Sequence, residues 1–361
     1  MRLRGPLLCV LAVLGTLDAQ GTAGHGFQTA QPGYRFRFPR DHGAHPAYAL
    51  EWWYFTGHLW SRDGARRYGY QLTFFRKGLD QAWTGSPGWR ADQFLLAHAA
   101  LTDVGRGRFR SEERFNRAGL PAGAAEGRLD LRDASWTARA ERSGRIHLGF
   151  SVRDAALELD LEPLTAPVVF GEQGVSRKGS DPAAASHYVS FPRLASTGTL
   201  RLDGRAEAVR GSSWMDHEFS SSQLAPDQVG WDWAGIQLRD GRSLMVYRLR
   251  HADGSQDPWS TLAEVDAGGH LRRSTQDFQW SGGAWTSPAS GARYPLPSRL
   301  RAWGEEWTLE PLVPDQELRT RLGARITYWE GACRVRDGQG REAGDAYVEL
   351  TGYAHSMQGR F

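Results

Sequence analysis

Asp216 and Glu218 lie in the run Ser213-Trp214-Met215-Asp216-His217-Glu218-Phe219-Ser220, and Asp232 lies in Gly230-Trp231-Asp232-Trp233. Three carboxyl groups are thus set among four large aromatic side chains. Burial disfavours charge, so a carboxyl in an apolar aromatic surrounding is pushed toward its neutral form. It then keeps a proton near neutral pH and serves as a general acid. Aromatic faces beside it stabilise a developing carbocation. The same residues also suit a structural role, in which Asp216 and Asp232 accept backbone or Trp N–H hydrogen bonds and tie a barrel end together. A second aromatic run, Glu51-Trp52-Trp53-Tyr54-Phe55-Thr56-Gly57-His58-Leu59, precedes these. On a strand, alternate side chains face opposite sides. Glu51, Trp53, Phe55 and Gly57 therefore share one face, and Trp52, Tyr54, Thr56 and His58 the other. Such a run lines a cavity or fills a core where two layers meet, and for Trp52 and Trp53 both stay open.

Other common chemistries lack their signatures. There is no Gly-x-Ser-x-Gly elbow, which argues against an α/β-hydrolase, and no Gly-rich phosphate loop follows a strand. The 11 histidines form no His-x-His pair and no His-Glu-x-x-His run, so no local metal signature exists and neither metal nor cofactor is expected. A hydrolase would have to rely on the acids Asp216 and Glu218.

The elements that position these residues read as β almost throughout. Leu50 to Trp60 and Tyr68 to Phe75 are rich in aromatic and β-branched residues, with an Asp63-Gly64 turn between them. Ile146 to Val152 and Leu157 to Leu161 alternate apolar and polar residues, as on a half-buried sheet. Glu112 to Arg117 reads as a turn or two of helix. Many short strands with frequent Gly turns indicate sandwiches or barrels. A faint internal repeat supports two related units. Trp53-x-x-x-Gly57, Asp63-Gly64 and Tyr70 to Arg76 correspond to Trp231-x-x-x-Gly235, Asp240-Gly241 and Leu244 to Arg248. Leu161-Glu162-Pro163-Leu164 recurs as Leu309-Glu310-Pro311-Leu312, and His187-Tyr188-Val189 matches Thr327-Tyr328-Trp329. The Gly/Ala/Ser-rich residues 171–186 suggest a mobile loop at a cavity mouth, and residues 220–229 an interdomain segment.

The chain of 361 residues suits two domains. Its 11% aromatic content excludes bulk disorder, and no apolar run reaches the ~18–20 residues of a membrane span. The net charge of +3 comes almost wholly from scattered arginines, Lys77 and Lys178 being the only lysines. They form no basic stripe, which argues against nucleic acid. Residues 1–23 read as a secretory signal: Arg2 and Arg4, an apolar stretch from Leu7 to Leu17, then small residues with cleavage after Ala19 or Ala23. The expected location is secreted or periplasmic. Cleavage removes Cys9 and leaves Cys333, a buried small hydrophobe with no disulfide partner.

The long motifs Glu51 to Leu59, Trp214-Met215-Asp216-His217-Glu218, Gly230-Trp231-Asp232-Trp233 and Glu349-Leu350-Thr351-Gly352-Tyr353 resemble those of the AttH/CrtC family, which includes carotenoid 1,2-hydratases. The resemblance spans essentially all of the mature chain. It implies an all-β chain of two tandem lipocalin-like, calycin-type antiparallel β-barrel domains, at residues 24–222 and 223–361. In the hydratases, an aspartic acid protonates a terminal trisubstituted alkene and a tertiary carbocation captures water. The family's Tyr-x-Asp matches Trp214-x-Asp216, with the tyrosine replaced, and its His-x-Trp matches His187-x-Val189, with the tryptophan replaced. The resemblance thus implies Asp216 as general acid, His187 positioning or deprotonating water, and Trp214 facing the cation. Trp53, Tyr54, Phe55, Tyr188, Trp231 and Trp233 are the expected lining for an apolar isoprenoid or lipid-like ligand. Two further roles stay open: a non-catalytic carrier associated with ABC-type export components, and a secreted hydrolase.

Overall fold

The computed structural model describes residues 26–79, 92–222, 224–323 and 325–360. The expected leader, residues 1–23 with Cys9, lies outside the described residues. The first sheet is formed by β1 (Leu50–Ser61), β2 (Arg67–Gly78), β3 (Gln93–Asp103), β4 (Arg108–Arg117), β5 (Ala122–Ala124), β6 (Asp130–Asp133) and β7 (Trp136–Ala140). It continues with β8 (Ile146–Val152), β9 (Ala155–Pro163), β10 (Val168–Phe170), β11 (Ser176–Arg177), β12 (Ala185–Leu202) and β13 (Arg205–Ser220). The second sheet is formed by β14 (Gln228–Leu238), β15 (Ser243–His251), β16 (Thr261–Val265), β17 (Leu271–Thr275) and β18 (Gln279–Gly282). After the separate hairpin β19 (Trp285–Thr286) and β20 (Arg293–Tyr294), it is completed by β21 (Ser298–Ala302), β22 (Glu305–Pro311), β23 (Glu317–Arg319), β24 (Thr327–Asp337) and β25 (Glu342–Leu350).

The two sheets share one topology. The first runs β4-β3-β2-β1-β13-β12-β9-β8-β7-β6-β5 and the second β17-β16-β15-β14-β25-β24-β22-β21-β18, each antiparallel, with short strands added on β12 and β24 respectively. Each curls into a near-barrel of the lipocalin-like kind, as expected. The repeated sequence segments fall on corresponding strands: β1 and β14, the ends of β9 and β22, and β12 and β24. Glu112 to Arg117 is not helical but lies in β4, where it pairs with β3. On this edge strand ladder hydrogen bonding overrides local helix preference.

Each curl has its own filled interior. Trp53, Phe55, Tyr70, Leu72, Phe74, Trp136, Leu148 and Leu200 pack inside the first. Ile236, Leu244, Leu262, Trp307, Leu309, Trp329 and Val335 pack inside the second, together with buried Cys333. A third apolar cluster lies between the sheets, built from Tyr54, Tyr188 and Trp214 of one and Trp233, Met245, Tyr247, Ala332 and Tyr347 of the other. Two glycines permit this close approach. A Cβ on Gly69 would lie 2.6 Å from Cβ of Ala332, and one on Gly235 would lie 2.8 Å from the Trp214 ring. Hydrogen bonds from His58 to the Ala346 carbonyl, Thr102 to Gln316 and Gln237 to the Pro192 and Ser213 carbonyls join the sheets. Among the described residues no helix is long and apolar enough to cross a membrane.

Candidate functional site

An aromatic cavity lies between the two sheets, not inside either curl. Its unfilled space, including the open mouth, is about 830 Å³. One wall carries Trp52, Tyr54, Phe75, Tyr188, Asp216 and Glu218, and the other Trp231, Trp233, Tyr247, Tyr328, Glu330 and Glu349. Alternation along the strands sets this division. Trp52 and Tyr54 of β1, Tyr188 of β12 and Trp214 of β13 face the second sheet, whereas Trp53, Phe55 and Met215 face the first interior, as do Leu194 and Leu200 beyond the β12 bulge after Phe191. The expected placement of Trp53 and Phe55 on the ligand is therefore corrected: both are core side chains, and Trp53 Nε1 donates to the His42 carbonyl at 3.0 Å. Tyr54, Tyr188, Trp231 and Trp233 do line the cavity.

Asp216 sits opposite Tyr54 on β1 and Ser190 on β12. Its Oδ1 accepts from Trp214 Nε1 at 2.6 Å and from the Ser190 hydroxyl, and its Oδ2 accepts from the Tyr188 hydroxyl at 2.7 Å. Trp233 Nε1 of the second sheet donates to that tyrosine oxygen at 3.0 Å. Burial raises the Asp216 pKa, and the three donors only partly offset this, leaving it at about 7. Trp214 thus anchors the acid by hydrogen bonding, with its ring against Gly235 and Trp233, and is not part of the cavity lining.

His187 is on the other side of β12, because it alternates with Tyr188. Its Nδ1 bonds the Gly174 carbonyl at 2.7 Å, and its ring packs on Tyr34 and Phe219. The expected meeting of His187 with Asp216 in one cavity does not occur. Asp232 likewise points away from the cavity. It pairs with Arg248 at 3.0 Å and Arg250 at 3.1 Å, and accepts from the Tyr353 hydroxyl. Residues 171–186 reach the second sheet and the cavity wall. Ser176 Oγ and Tyr247 Oη of the second sheet lie 3.0 Å apart, and Lys178 enters the cavity wall. Its Nζ lies 3.2 Å from Glu218 and over the Tyr247 ring. Burial opposes the ammonium charge, but Glu218 holds its pKa above the ordinary lysine value.

Behind this wall His45, Glu51 and His217 converge, with donor atoms within 4.8 Å of one another. Glu51 accepts from His45, from His217 and from Arg76 Nε at 2.9 Å. With a guanidinium already on the carboxylate, the group works as an ion-pair network that locks the lead-in segment to β1 and β13.

Sequence reasoning did not single out Lys178, Tyr328, Glu330 or Glu349 as site residues. Signals for them existed. Lys178 is one of two lysines, Glu330 is an acid in an apolar run two residues beyond the repeated tyrosine, and Glu349 lies in the closing motif.

The family model described as AttH-like matches residues 29–353. Among solved structures, an AttH assigned from Nitrosomonas europaea is 35% identical, with a TM-score of 0.83 over 91% of this chain and 100% of that one. Kievitone hydratase from Nectria haematococca is 12% identical, with a TM-score of 0.69 over 92% and 98%. CghA, solved with Sch210972, is 14% identical, with a TM-score of 0.50 over 92% and 98%. At those identities the last two are similar in fold alone. No curated protein matches the chain in sequence.

Proposed function

The chain belongs to the AttH-like family, and from that premise we propose that it adds water to an isoprenoid-type carbon–carbon double bond held in the intersheet cavity. The observation that carries this reading is Asp216, an acid titrating at about 7 on the wall of an aromatic chamber. Protonated Asp216 gives its proton to the less substituted alkene carbon, leaving a tertiary carbocation and a carboxylate. The oxygen of a water bonds to the cation, and the proton that water loses returns to Asp216, so alkene and water become an alcohol. Tyr188 and Trp214 orient the carboxyl, and Trp231, Trp233 and Tyr54 offer aromatic faces to the cation. The fold shared with kievitone hydratase is compatible with this chemistry. Incubation with acyclic carotenoids and smaller terpenoid alkenes, followed by mass spectrometry, tests the reading. The expected product is one water heavier and is absent with Asp216→Asn; undiminished turnover in that variant refutes it.

A second reading is carriage of a lipid-like ligand beside an ABC-type export system. It is favoured by one observation: both Asp216 oxygens are already engaged by protein donors. It expects tight apolar binding that survives Asp216→Asn, with no turnover. Both readings include export directed by residues 1–23, which N-terminal sequencing of the periplasmic protein checks: a start at Gln20 or Gly24 is expected, and an uncleaved chain rejects it.

A further inference from the structure

The shared topology makes the cavity a doubled site. On β12 and β13, Ser190 opposes Asp216, and Asp216 opposes Tyr54 of β1. On β24 and β25, Glu330 opposes Glu349, and Glu349 opposes Trp233 of β14. Tyr188 and Tyr328 stand two residues before Ser190 and Glu330. Glu349 therefore occupies the place of Asp216 on the facing wall, and Glu330 occupies that of a serine.

This second wall is built unlike the first. Glu330 is 1% exposed, and neither of its oxygens has a partner within hydrogen-bond geometry in the protein. Glu349 accepts one bond, from Trp231 Nε1 at 3.1 Å. Like charges directly opposite on one sheet face destabilise it. Among the described residues of the lining the sole cation is Lys178, which Glu218 already engages. The groups facing Glu330 are Tyr54 from β1, Tyr328 from its own strand, Tyr347 and Glu349 from β25, and across the cavity Asp216 from β13. None brings a positive charge. Carboxylates among aromatic faces suit an apolar cation, which satisfies both at once.

We propose that Glu330 and Glu349 form a cation-binding half-site that takes the positive centre of an apolar ligand, a quaternary or protonated amine. One extension rests on the hydratase reading: the half-site then holds the carbocation that Asp216 generates on the opposite wall. Without a cation the surroundings of Glu330 and Glu349 favour the protonated carboxyls over the ionised ones. Burial and the neighbouring Glu349 raise the Glu330 pKa well above the carboxylate range. Burial, with Asp216 adding to it, raises that of Glu349 to about 7. Cation binding favours the ionised carboxyls, so it releases protons and tightens as pH rises.

The test compares binding of benzyltrimethylammonium with that of neopentylbenzene, its uncharged isostere, by calorimetry between pH 6 and 8 in buffers of different ionisation enthalpy. The expected result is a preference for the cation of at least about tenfold at pH 8, growing with pH, with protons released. In the double variant Glu330→Gln with Glu349→Gln, that preference disappears while neopentylbenzene still binds. Equal or weaker binding of the cation to the native protein overturns the inference, as does failure of both probes to bind or a preference that survives the double variant. The native pH series decides the matter even where the variant does not fold. Cation preference without alkene hydration keeps this inference and removes the hydratase reading; hydration without cation preference does the reverse.

Discussion

Replacing Asp216 by asparagine keeps the shape of the side chain and removes its titration. In the native fold the carboxyl pKa moves from 3.8 to about 7, whereas the unfolded chain ionises normally. Between those values the unfolded state has lost a proton that the folded state keeps, so stability falls as pH rises. Over about three units at ~1.4 kcal/mol each, the fully buried group costs roughly 4 kcal/mol by pH 8, and nothing below pH 4. The Asp216→Asn substitution removes that cost. The carbonyl of the new amide still accepts from Ser190 and Trp214, but its NH₂ meets the Tyr188 oxygen, which already accepts from Trp233. That mismatch costs about 1 kcal/mol at every pH. The variant is therefore about 1 kcal/mol less stable than the native protein at pH 4 and about 3 kcal/mol more stable at pH 8. Urea denaturation at both values measures the difference. A difference that is the same at pH 4 and pH 8 refutes the account of Asp216 as a buried acid.

Lys178→Met leaves Glu218 buried without its cation and is expected to cost roughly 3–5 kcal/mol at neutral pH, read by thermal or chemical unfolding; an unchanged stability contradicts the pairing. His187→Ala removes the bond to Gly174 and the packing on Tyr34, costing about 1–3 kcal/mol while leaving the affinity of any cavity ligand within about twofold. A large loss of affinity there would return His187 to the site. Trp53→Ala opens a void inside the first curl and costs ~3–5 kcal/mol, again without altering ligand affinity, as fluorescence or calorimetric titration checks.

The repeat is visible in the sequence, but its register is not. Matching Trp53 with Trp231 pairs a residue of the first interior with one of the cavity wall. The strand pairing instead sets Tyr54 beside Trp233, Trp52 beside Trp231 and Asp216 beside Glu349 in role. A slip of one residue turns every side chain to the opposite face. Expecting Trp53, Tyr54 and Phe55 together at the ligand sets aside the alternation that sends Trp53 and Phe55 to the first interior. Alternation within the first run is legible, and the structure keeps the two faces it implies. Strand identity is legible too, because aromatic and β-branched residues between Asp-Gly turns have few other uses. Which face of each curl meets the other sheet is not, since both faces of β1 and β13 carry large apolar side chains beside buried polar ones. Lys178 shows a further limit: its segment looks like an open loop in composition, and the bonds that tie it to the second sheet, such as those of Ser176 with Tyr247 and of Gln228 with Lys178, join residues far apart in sequence.

Proton delivery by Asp216 to an apolar alkene between the two sheets, completed by addition of water, is tested most directly with an isotope. The purified protein is incubated with terpenoid alkenes in ¹⁸O-labelled water, and the alcohol is analysed by mass. One labelled oxygen per product molecule is predicted with the native protein, and no product with Asp216→Asn. No alcohol from the native protein, or labelled alcohol formed equally by the variant, would contradict it.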